Sequence, residues 1–394
     1  MTNKPQFVGE KSGTTLKDSC VLIMGQSPSS NSYNTSGDGL PFYQGNADFG
    51  EESPVPRSWC TELKKIAEKG DILISVRAPI GAINIADEKC CIGRGVAAIR
   101  PNQEVMSPDF LQHQLFASRN KLEAMGTGST FKAIGKKTLS DFPVVIYPKN
   151  TQEAIAQQLN LIKKQIKTVN SQLDQLDSLV KSRFVEMFGN PVDDKLWPHV
   201  TLAELCTKLG SGATPRGGRS TYKTEGIPLI RSMNVHNGYF VWKDLTYIDD
   251  EQAAKLNGVT LMKGDVLLNI TGASVARSCI LPDELAGGRV NQHVSIVRVD
   301  QTKMLPIILN MVLINDSYQR FLLNDSRMAG ATREAITKED LKSMKVPLPP
   351  LSLQQQFANF AVKVDKSRFI SISRYRDILI KNGYRHPHLQ GFNR

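Results

Sequence analysis

The sequence predicts a mixed α/β protein in which two homologous globular domains alternate with two long helices, an internal repeat with pseudo-two-fold symmetry. Three observations predict this architecture. Several short phrases occur twice in the same order. Short β-branched runs are separated by Gly, Pro, Asn and Ser, which is typical of strands and turns. One long helical segment carries an apolar heptad pattern. The chain has 394 residues, 40% of them hydrophobic, which is enough for more than one core.

The duplicated phrases run along most of the chain and keep their order. The clearest pairs are "TLKDSC" and "TLAELC" (15–20 and 201–206), "KGDILISV" and "KGDVLLNI" (69–76 and 263–270), "VAAIRP" and "VSIVRV" (96–101 and 294–299), and "GSTFKAIG" and "GATREAIT" (128–135 and 330–337). Small differences in their spacing are what loop insertions produce. The sequence therefore predicts one domain plan used twice.

Each copy closes with a strand that contains proline, and a long helix follows. In the first helix the apolar positions alternate by four and three residues, which predicts a narrow coiled-coil seam: Ile155, Leu159, Ile162, Ile166, Val169, Leu173, Leu176 and Val180. Arg183 takes one seam position before Met187, and Gly189 and Pro191 end the helix. At 1.5 Å per residue this seam extends over roughly 50 Å.

A second helix, from about Leu353 to Ile380, is the candidate partner, in an antiparallel arrangement. Its seam is less regular: Phe357, Phe360 and Val364, then Ile372, Tyr375 and Leu379. Ordinary core packing is the alternative for this helix. We expect domain boundaries at 1–150, 151–189 (first helix), 190–351 and 352–394 (second helix and a basic tail).

Motifs for catalysis or nucleotide binding are not found. The pattern G-x-x-x-x-G-K-[ST] does not occur, and "GRGVAA" (93–98) leads into a strand rather than a helix. Two groups of acids with a lysine could be imagined as a nuclease centre: Asp48, Glu62 and Lys64, or Asp325, Asp340 and Lys342. Neither group is matched in the other copy, so surface charge is the favoured interpretation. We expect no catalytic residue and no metal ligand in this chain.

The two copies agree in their apolar framework and differ in their polar loops, as expected of one scaffold with two specificities. Arg can bind guanine through two hydrogen bonds, Asn or Gln can do so with adenine, and Ser, Thr and Lys suit phosphates. The candidate DNA-contacting residues are Gln44, Asn46, Arg77, Arg94, Thr130, Lys132, Arg216, Arg219, Tyr222, Lys223, Arg231, Asn234, Arg277, Arg289, Asn291, Gln292, Thr332 and Arg333. Ordinary surface polarity is the alternative for each of them.

The order and duplication of these motifs resemble the specificity (S) subunit of type I restriction-modification systems, over about residues 10–382. The motifs that carry the resemblance are "GSGATP" with "GIPLIR", "KGDVLLNITG", "RVNQHVSIVR", "AGATREAITKEDLKSMKVPLPPLSLQQQF" with its first-copy version, and "LDSLVKSRFVEMFGNP".

The resemblance implies a non-catalytic subunit with two target recognition domains, each of which binds one half of a split, asymmetric DNA sequence. The helices would set the gap between the halves and dock two methyltransferase subunits, and a restriction subunit can join. S-adenosylmethionine, ATP and Mg would be bound by those partners, not by this chain. The target sequence and gap, and the effect of the shorter second helix on docking, stay open.

Charge and hydropathy add little to this interpretation. The net charge of +11 invites a nucleic-acid hypothesis, but residues 1–150 have 17 basic and 15 acidic side chains, and residues 352–394 have 8 and 2. No apolar stretch has the length of a membrane span, and six cysteines without C-x-x-C spacing favour a reduced, cytoplasmic location. The rival hypotheses are a self-contained restriction or methylation enzyme and a coiled-coil scaffold without a DNA role.

Overall fold

The structure, a computed structural model, describes residues 13–128, 132–193, 195–324 and 335–381, with side chains omitted at 219, 371 and 374–381. The chain divides into two compact units, Met1–Gln165 (unit 1) and Ile166–Arg394 (unit 2). The boundary falls inside a continuous helix, because the heptad segment is helical on both sides of it.

Unit 1 is built from short strands followed by helices. Its elements are α1 (Leu16–Ser19), β1 (Cys20–Met24), β2 (Tyr33–Asn34), β3 (Leu40–Tyr43), β4 (Trp59–Cys60), β5 (Ile66–Ala67), β6 (Ile72–Ser75), β7 (Ile83–Ile85), β8 (Cys90–Ile92), β9 (Val96–Pro101), α2 (Pro108–Ala117), α3 (Arg119–Ala124), α4 (Lys136–Ser140) and the first part of α5 (Lys149–Phe188). One antiparallel sheet has the order β1-β9-β6-β7, and a second has the order β2-β4-β3-β8-β5 with β3 and β8 parallel.

Unit 2 repeats this plan. After α5 come β10 (His199–Thr201), α6 (Leu202–Leu205), β11 (Cys206–Ser211), β12 (Ile227–Ile230), β13 (Val235–His236), β14 (Tyr239–Phe240), β15 (Thr246–Ile248), α7 (Asp250–Ala254), β16 (Val266–Asn269), β17 (Ser278–Ile280), β18 (Arg289–Val290), β19 (Val294–Val299), α8 (Pro306–Leu313), α9 (Asp316–Asn324), α10 (Lys338–Ser343), β20 (Lys345–Pro347) and α11 (Leu351–Lys381). Its main sheet has the order β11-β19-β16-β17, and β12 and β18 pair in parallel.

The two main sheets confirm the predicted duplication. In both, the strand from the "KGD" phrase pairs antiparallel with the strand that contains "AIR" or "IVR". The Asp of each "KGD" shapes the turn before its strand. Asp71 accepts a hydrogen bond from the Glu68 backbone N–H, and Asp265 accepts one from the Met262 N–H.

Each unit has its own apolar core. The sheet β1-β9-β6-β7 packs against α2, α3 and the start of α5, with Leu16, Ile72 and Ile99 fully buried. In unit 2, α8 contributes an almost continuous apolar stretch that includes Ile308 and Leu309. The apolar side chains of these strands are buried because helices cover the sheet faces on which they lie.

Within unit 2 the second part of α5 pairs with α11. Phe357 packs against Phe184 and Phe188, with ring centroids 5.5 and 5.7 Å apart, and Arg368 forms an ion pair with Asp177. Later residues of one helix contact earlier residues of the other, so the pair is antiparallel, as predicted.

The burial of the two helices follows the predicted seams. The seam residues of α5 from Ile155 to Val180 are all buried or half-buried, and in α11 Phe357 and Val364 are buried. The start of α11 also belongs to the core of unit 2, so core packing and helix pairing both apply to it. None of the helices in the described part of the chain is long and apolar enough to span a membrane.

Candidate nucleic-acid interface

In unit 1, four loop segments meet at one end of the sheets through backbone hydrogen bonds. Gly95 N–H donates to Gln44 O at 3.1 Å, Val76 N–H donates to Gly95 O at 2.9 Å, and Ile134 N–H donates to Val76 O at 2.8 Å. These bonds join the loop after β3, the loop after β6, the turn before β9 and the end of the "GSTFKAIG" phrase. The structure therefore brings together loops that are far apart in sequence.

Four candidate residues lie on these loops with exposed side chains: Gln44, Arg77, Arg94 and Lys132. Arg77 forms a β-bridge with Ala133, and Ala78 N–H donates to Lys132 O at 3.1 Å. We call this set face 1. Three of its four members are cations, which suits contact with a polyanion.

Unit 2 has the same loop arrangement. Asn291 N–H donates to Ile230 O and Ile270 N–H to His293 O, both at 3.0 Å, and Ile336 N–H donates to Ile270 O at 2.8 Å. Arg231, Thr271 and Gln292 therefore occupy the positions that Gln44, Arg77 and Arg94 occupy in unit 1. We call Thr214, Arg231, Thr271, Gln292 and His293 face 2.

Close backbone approach explains one pair of repeated glycines. A Cβ at Gly25 would lie 2.1 Å from Gly93 O, and one at Gly212 would lie 1.7 Å from Val290 O. Gly25 also donates its N–H to Val96 O at the start of β9, and Gly212 donates its N–H to Asn291 O in the turn before β19. In "GRGVAA", a Cβ at Gly95 would lie 2.2 Å from Gln44 O, so this glycine also serves tight backbone packing.

Side chains of face 2 form a chain of hydrogen bonds. The Thr214 hydroxyl donates to Gln292 Oε1, Gln292 Nε2 lies 3.0 Å from His293 Nε2, and His293 Nδ1 lies 2.6 Å from Thr271 Oγ1. Thr214, Thr271 and His293 were not among the candidate residues. Pairing the two copies position by position could have indicated them, because they stand opposite Ser27, Arg77 and Gly95.

Three candidates are buried and use their polar groups inside unit 2. Asn234 is fully buried, and its amide donates to the carbonyls of Val241 and Lys243. Arg289 donates to the carbonyls of Gly287 and Gly288 in the adjacent turn and to Ala253 O of α7, the last at 3.1 Å. Asn291 accepts a hydrogen bond from the His293 N–H. This is a correction to the sequence-based expectation: a buried side chain with satisfied hydrogen bonds supports the loop and does not face DNA.

The other candidates lie beside the faces or outside the described part. Arg216 is exposed on the loop that carries Thr214, and Asn46 and Arg277 are half-buried. The Arg231 guanidinium stacks over the Tyr222 ring at 5.5 Å, and Lys223 lies 3.8 Å from the Asp249 carboxylate. Thr130, Thr332, Arg333 and the Arg219 side chain lie outside the described residues.

The acidic residues of the two imagined nuclease centres that the structure describes have local structural roles. Glu62 accepts hydrogen bonds from Ser29 and pairs with Lys64, and its contacts with Lys64 and Ser29 lower the pKa of its carboxyl to about 2. Asp48 accepts from the Gln44 N–H, and Asp340 accepts from the N–H and hydroxyl of Thr337, the N-cap of α10. Asp325 lies outside the described residues. In the described ranges no three His, Cys, Asp or Glu side chains are placed to hold a metal ion.

The comparisons with known proteins agree with this duplicated arrangement. The family model "Type I restriction modification DNA specificity domain" matches residues 12–178 and 194–378. The chain therefore belongs to this family and contains two such domains.

Similar proteins include specificity subunits of type I restriction enzymes. The chain is 22% identical to the EcoKI specificity subunit of Escherichia coli K12, over 77% of this chain and 69% of that protein. It is 42% identical to the sequence described as the MjaX specificity subunit of Methanocaldococcus jannaschii, over 41% of this chain and 38% of that protein, so the match spans less than half of that relative. The crystal structure of an S subunit from M. genitalium matches 96% of this chain and 95% of its own with a TM-score of 0.58 at 13% identity, which shows the shared fold.

Proposed function

We propose that this chain is the non-catalytic subunit of a type I restriction-modification complex and that faces 1 and 2 each read one half of a bipartite, asymmetric DNA target. The observation that carries the proposal is the equivalence of the two faces. Three pairs of equivalent backbone bonds build both, yet face 1 presents Gln44, Arg77 and Arg94 where face 2 presents Arg231, Thr271 and Gln292. One frame with different polar groups would read two different half-sites.

The helices would set the unread gap between the half-sites. Helix α5 has 40 residues, so it is roughly 60 Å long. Its antiparallel pairing with α11 stiffens it where Phe357 packs against Phe184. A stiff element of fixed length would favour one gap length over others.

Partner subunits would supply the chemistry. Two methyltransferase subunits would dock on the helices and bind S-adenosylmethionine, and restriction subunits with ATP and Mg could join. Exposed apolar side chains on the helices, such as Leu179, Val362 and Phe369, are available to such partners. This organisation would place the protein in the cytoplasm.

The test is a map of adenine methylation. The chain is expressed with its neighbouring genes in a host without DNA methylation, and N6-methyladenine is located across the genome. We expect a split motif of two short blocks around a fixed gap. A single continuous motif, or methylation by this chain alone, would contradict the proposal. No methylation by a soluble, assembled complex would favour a scaffold without a DNA role.

A second experiment tests the spacer helix. Duplicating one heptad, residues 167–173, adds about 10 Å of helix while preserving the seam, which corresponds to about three base-pair steps. We expect the gap to widen with both half-sites unchanged. An insertion of equal length in the exposed 35–39 loop is the control and should leave the gap as it was. An unchanged gap in the heptad variant would show that the helix does not set it.

A further inference from the structure

We propose that Gln292 and Arg94 each decide one base of their half-site, Gln292 selecting adenine and Arg94 selecting guanine. This inference rests on the proposed function and adds the base chemistry of two residues. It follows from their equivalent positions, from the hydrogen bonds of Gln292, and from the freedom of the Arg94 side chain.

The two residues occupy the same place in the duplicated frame. Each stands two positions before the strand β9 or β19, directly after the residue whose N–H donates to the end of β3 or β12: Gly93 to Tyr43 O at 2.8 Å, and Asn291 to Ile230 O at 3.0 Å. Both side chains are exposed. The fold therefore presents a guanidinium in unit 1 and an amide in unit 2 from one backbone site.

Both the oxygen and the nitrogen of the Gln292 side-chain amide form hydrogen bonds. Its Oε1 accepts a hydrogen bond from the Thr214 hydroxyl, and its Nε2 donates to His293 Nε2, with His293 oriented through Nδ1 by Thr271. An amide has two donor hydrogens and two acceptor lone pairs. One of each is used, so one donor and one acceptor remain, directed away from Thr214 and His293. That is the complement of adenine N7 and N6 in the major groove.

The pre-organised amide would lose little rotamer freedom on binding. Thr214 and His293 are therefore positioning residues, which act through Gln292. Replacing either should weaken the preference for adenine at one base pair and leave the rest of the half-site as it is.

Arg94 is arranged differently. Its backbone N–H lies 3.4 Å from Ser27 Oγ, and within the described ranges its guanidinium makes no hydrogen bond or ion pair. With respect to the described residues, all five donors of the guanidinium remain free, including the pair that fits guanine O6 and N7. A phosphate contact is the alternative for such a cation, and it would weaken binding to all sequences equally.

The experiment maps methylation in the assembled complex for Gln292→Arg and Arg94→Gln. We expect each variant to change one base pair of one half-site by about tenfold or more in preference, with the other half-site and the gap unchanged. Arg320→Gln, on α9 where the guanidinium donates to Asp316 O, and Gln301→Arg, beyond the far end of β19, make the same exchanges at exposed positions and should leave the motif unchanged.

Thr214 gives a matched pair of variants. Thr214→Ser retains the hydroxyl and should keep the motif, whereas Thr214→Val should relax the same base pair that Gln292→Arg changes. If Gln292→Arg abolishes methylation, Gln292→Ala must still relax that base pair. If it does not, the proposal fails.

The outcomes separate this inference from the proposed function. A split motif in the wild type with no change of base in either exchange overturns the base assignment and leaves the proposed function intact. A uniform loss of methylation across sites with an unchanged motif also overturns it, because that result indicates a phosphate contact. If the wild type has no split motif, the proposed function fails and the base assignment fails with it.

Discussion

Gln152 and Gln354 make the same three hydrogen bonds in the two units. Gln152 accepts from the Ser107 N–H and donates to Val105 O and Tyr147 O; Gln354 accepts from the Leu305 N–H and donates to Lys303 O and Pro349 O, all between 2.7 and 3.0 Å. Both side chains are fully buried. Gln152 therefore links the start of α5 to the loop before α2, and Gln354 links the start of α11 to the loop before α8.

Replacing either glutamine by alanine should destabilise its unit by about 2–4 kcal/mol, because three buried or part-buried backbone groups lose their partner. Urea unfolding measures this change. Gln158→Ala and Gln356→Ala, at exposed positions of the same helices, should change the free energy of unfolding by no more than about 0.5 kcal/mol. Equal effects of buried and exposed variants would refute the assigned role.

The Asp265–Arg298 pair should contribute more to stability than the Asp71–Arg100 pair. Both aspartates are buried, but the Arg298 side chain is 21% exposed and the Arg100 side chain 41%. Asp265→Ala should cost about 3 kcal/mol, since it leaves the partly buried Arg298 cation without its counter-charge, with only Thr260 O as an acceptor, and the Met262 N–H without an acceptor. Asp71→Ala should cost less.

Asp283→Ala is the control for the aspartate variants. It breaks an ion pair with Lys263 whose side chains are 66% and 70% exposed, so it should cost less than about 1 kcal/mol. Chemical denaturation of the three variants measures how much each one lowers the free energy of unfolding and so gives their order. If Asp71→Ala proves the more destabilising, exposure of the arginine does not decide the strength of these pairs.

The aromatic cluster at the helix pair should be needed for its stability. Phe357 is fully buried between Phe184 and Phe188, so Phe357→Ala should cost about 3–5 kcal/mol. Phe369→Ala removes a side chain that is 60% exposed and should have little effect. Thermal unfolding followed by circular dichroism distinguishes the two. A small effect at Phe357 would show that the cluster is not a packing centre.

The thiols of Cys20 and Cys206 should react slowly in the folded chain. Burial raises the pKa of Cys20 to about 11 and that of Cys206 to about 12, and the thiolate is the reactive form. At pH 8, alkylation by iodoacetamide, followed by mass spectrometry, should be at least about tenfold slower than in urea. Fast modification of the native chain would contradict this.

The same shifts give a sign for the pH dependence of stability. The thiols ionise near pH 9 in the unfolded chain but at a higher pH in the folded chain. Their contribution is therefore fully present below pH 9, and the free energy of unfolding falls as the pH rises from about 9 to about 12. Urea titrations at pH 8 and 10 measure it, and Cys20→Ala with Cys206→Ala should reduce the difference.

Much of the fold could be predicted because its signals are local or periodic. The repeated "KGD" phrases gave equivalent turns and strands, since an aspartate that bonds a turn N–H acts within a few residues. The apolar spacing of α5 gave its buried stripe because 3.6-residue periodicity places those positions on one side of a helix. The opposite direction of α11 followed from its place in the repeat.

The loop residues were harder to assign for a physical reason. Asn234, Arg289 and Asn291 have the same polar character as Gln44 and Gln292, yet the first three are buried and the last two are exposed. Whether a loop side chain faces inward depends on backbone bonds between distant segments, such as Gly95 to Gln44. Composition and spacing do not contain those pairings.

The repeated phrase "KSRF" shows most simply which features the sequence determines and which features the tertiary structure determines. The sequence by itself determined that both copies carry it on a long helix, at Lys181–Phe184 and Lys366–Phe369. Only the tertiary structure decided that Phe184 is 1% and Phe369 60% exposed, and that Arg183 pairs with Glu186 while Arg368 pairs with Asp177. Periodicity determines the helix, whereas the partner that each turn meets is set by the antiparallel register of α5 and α11.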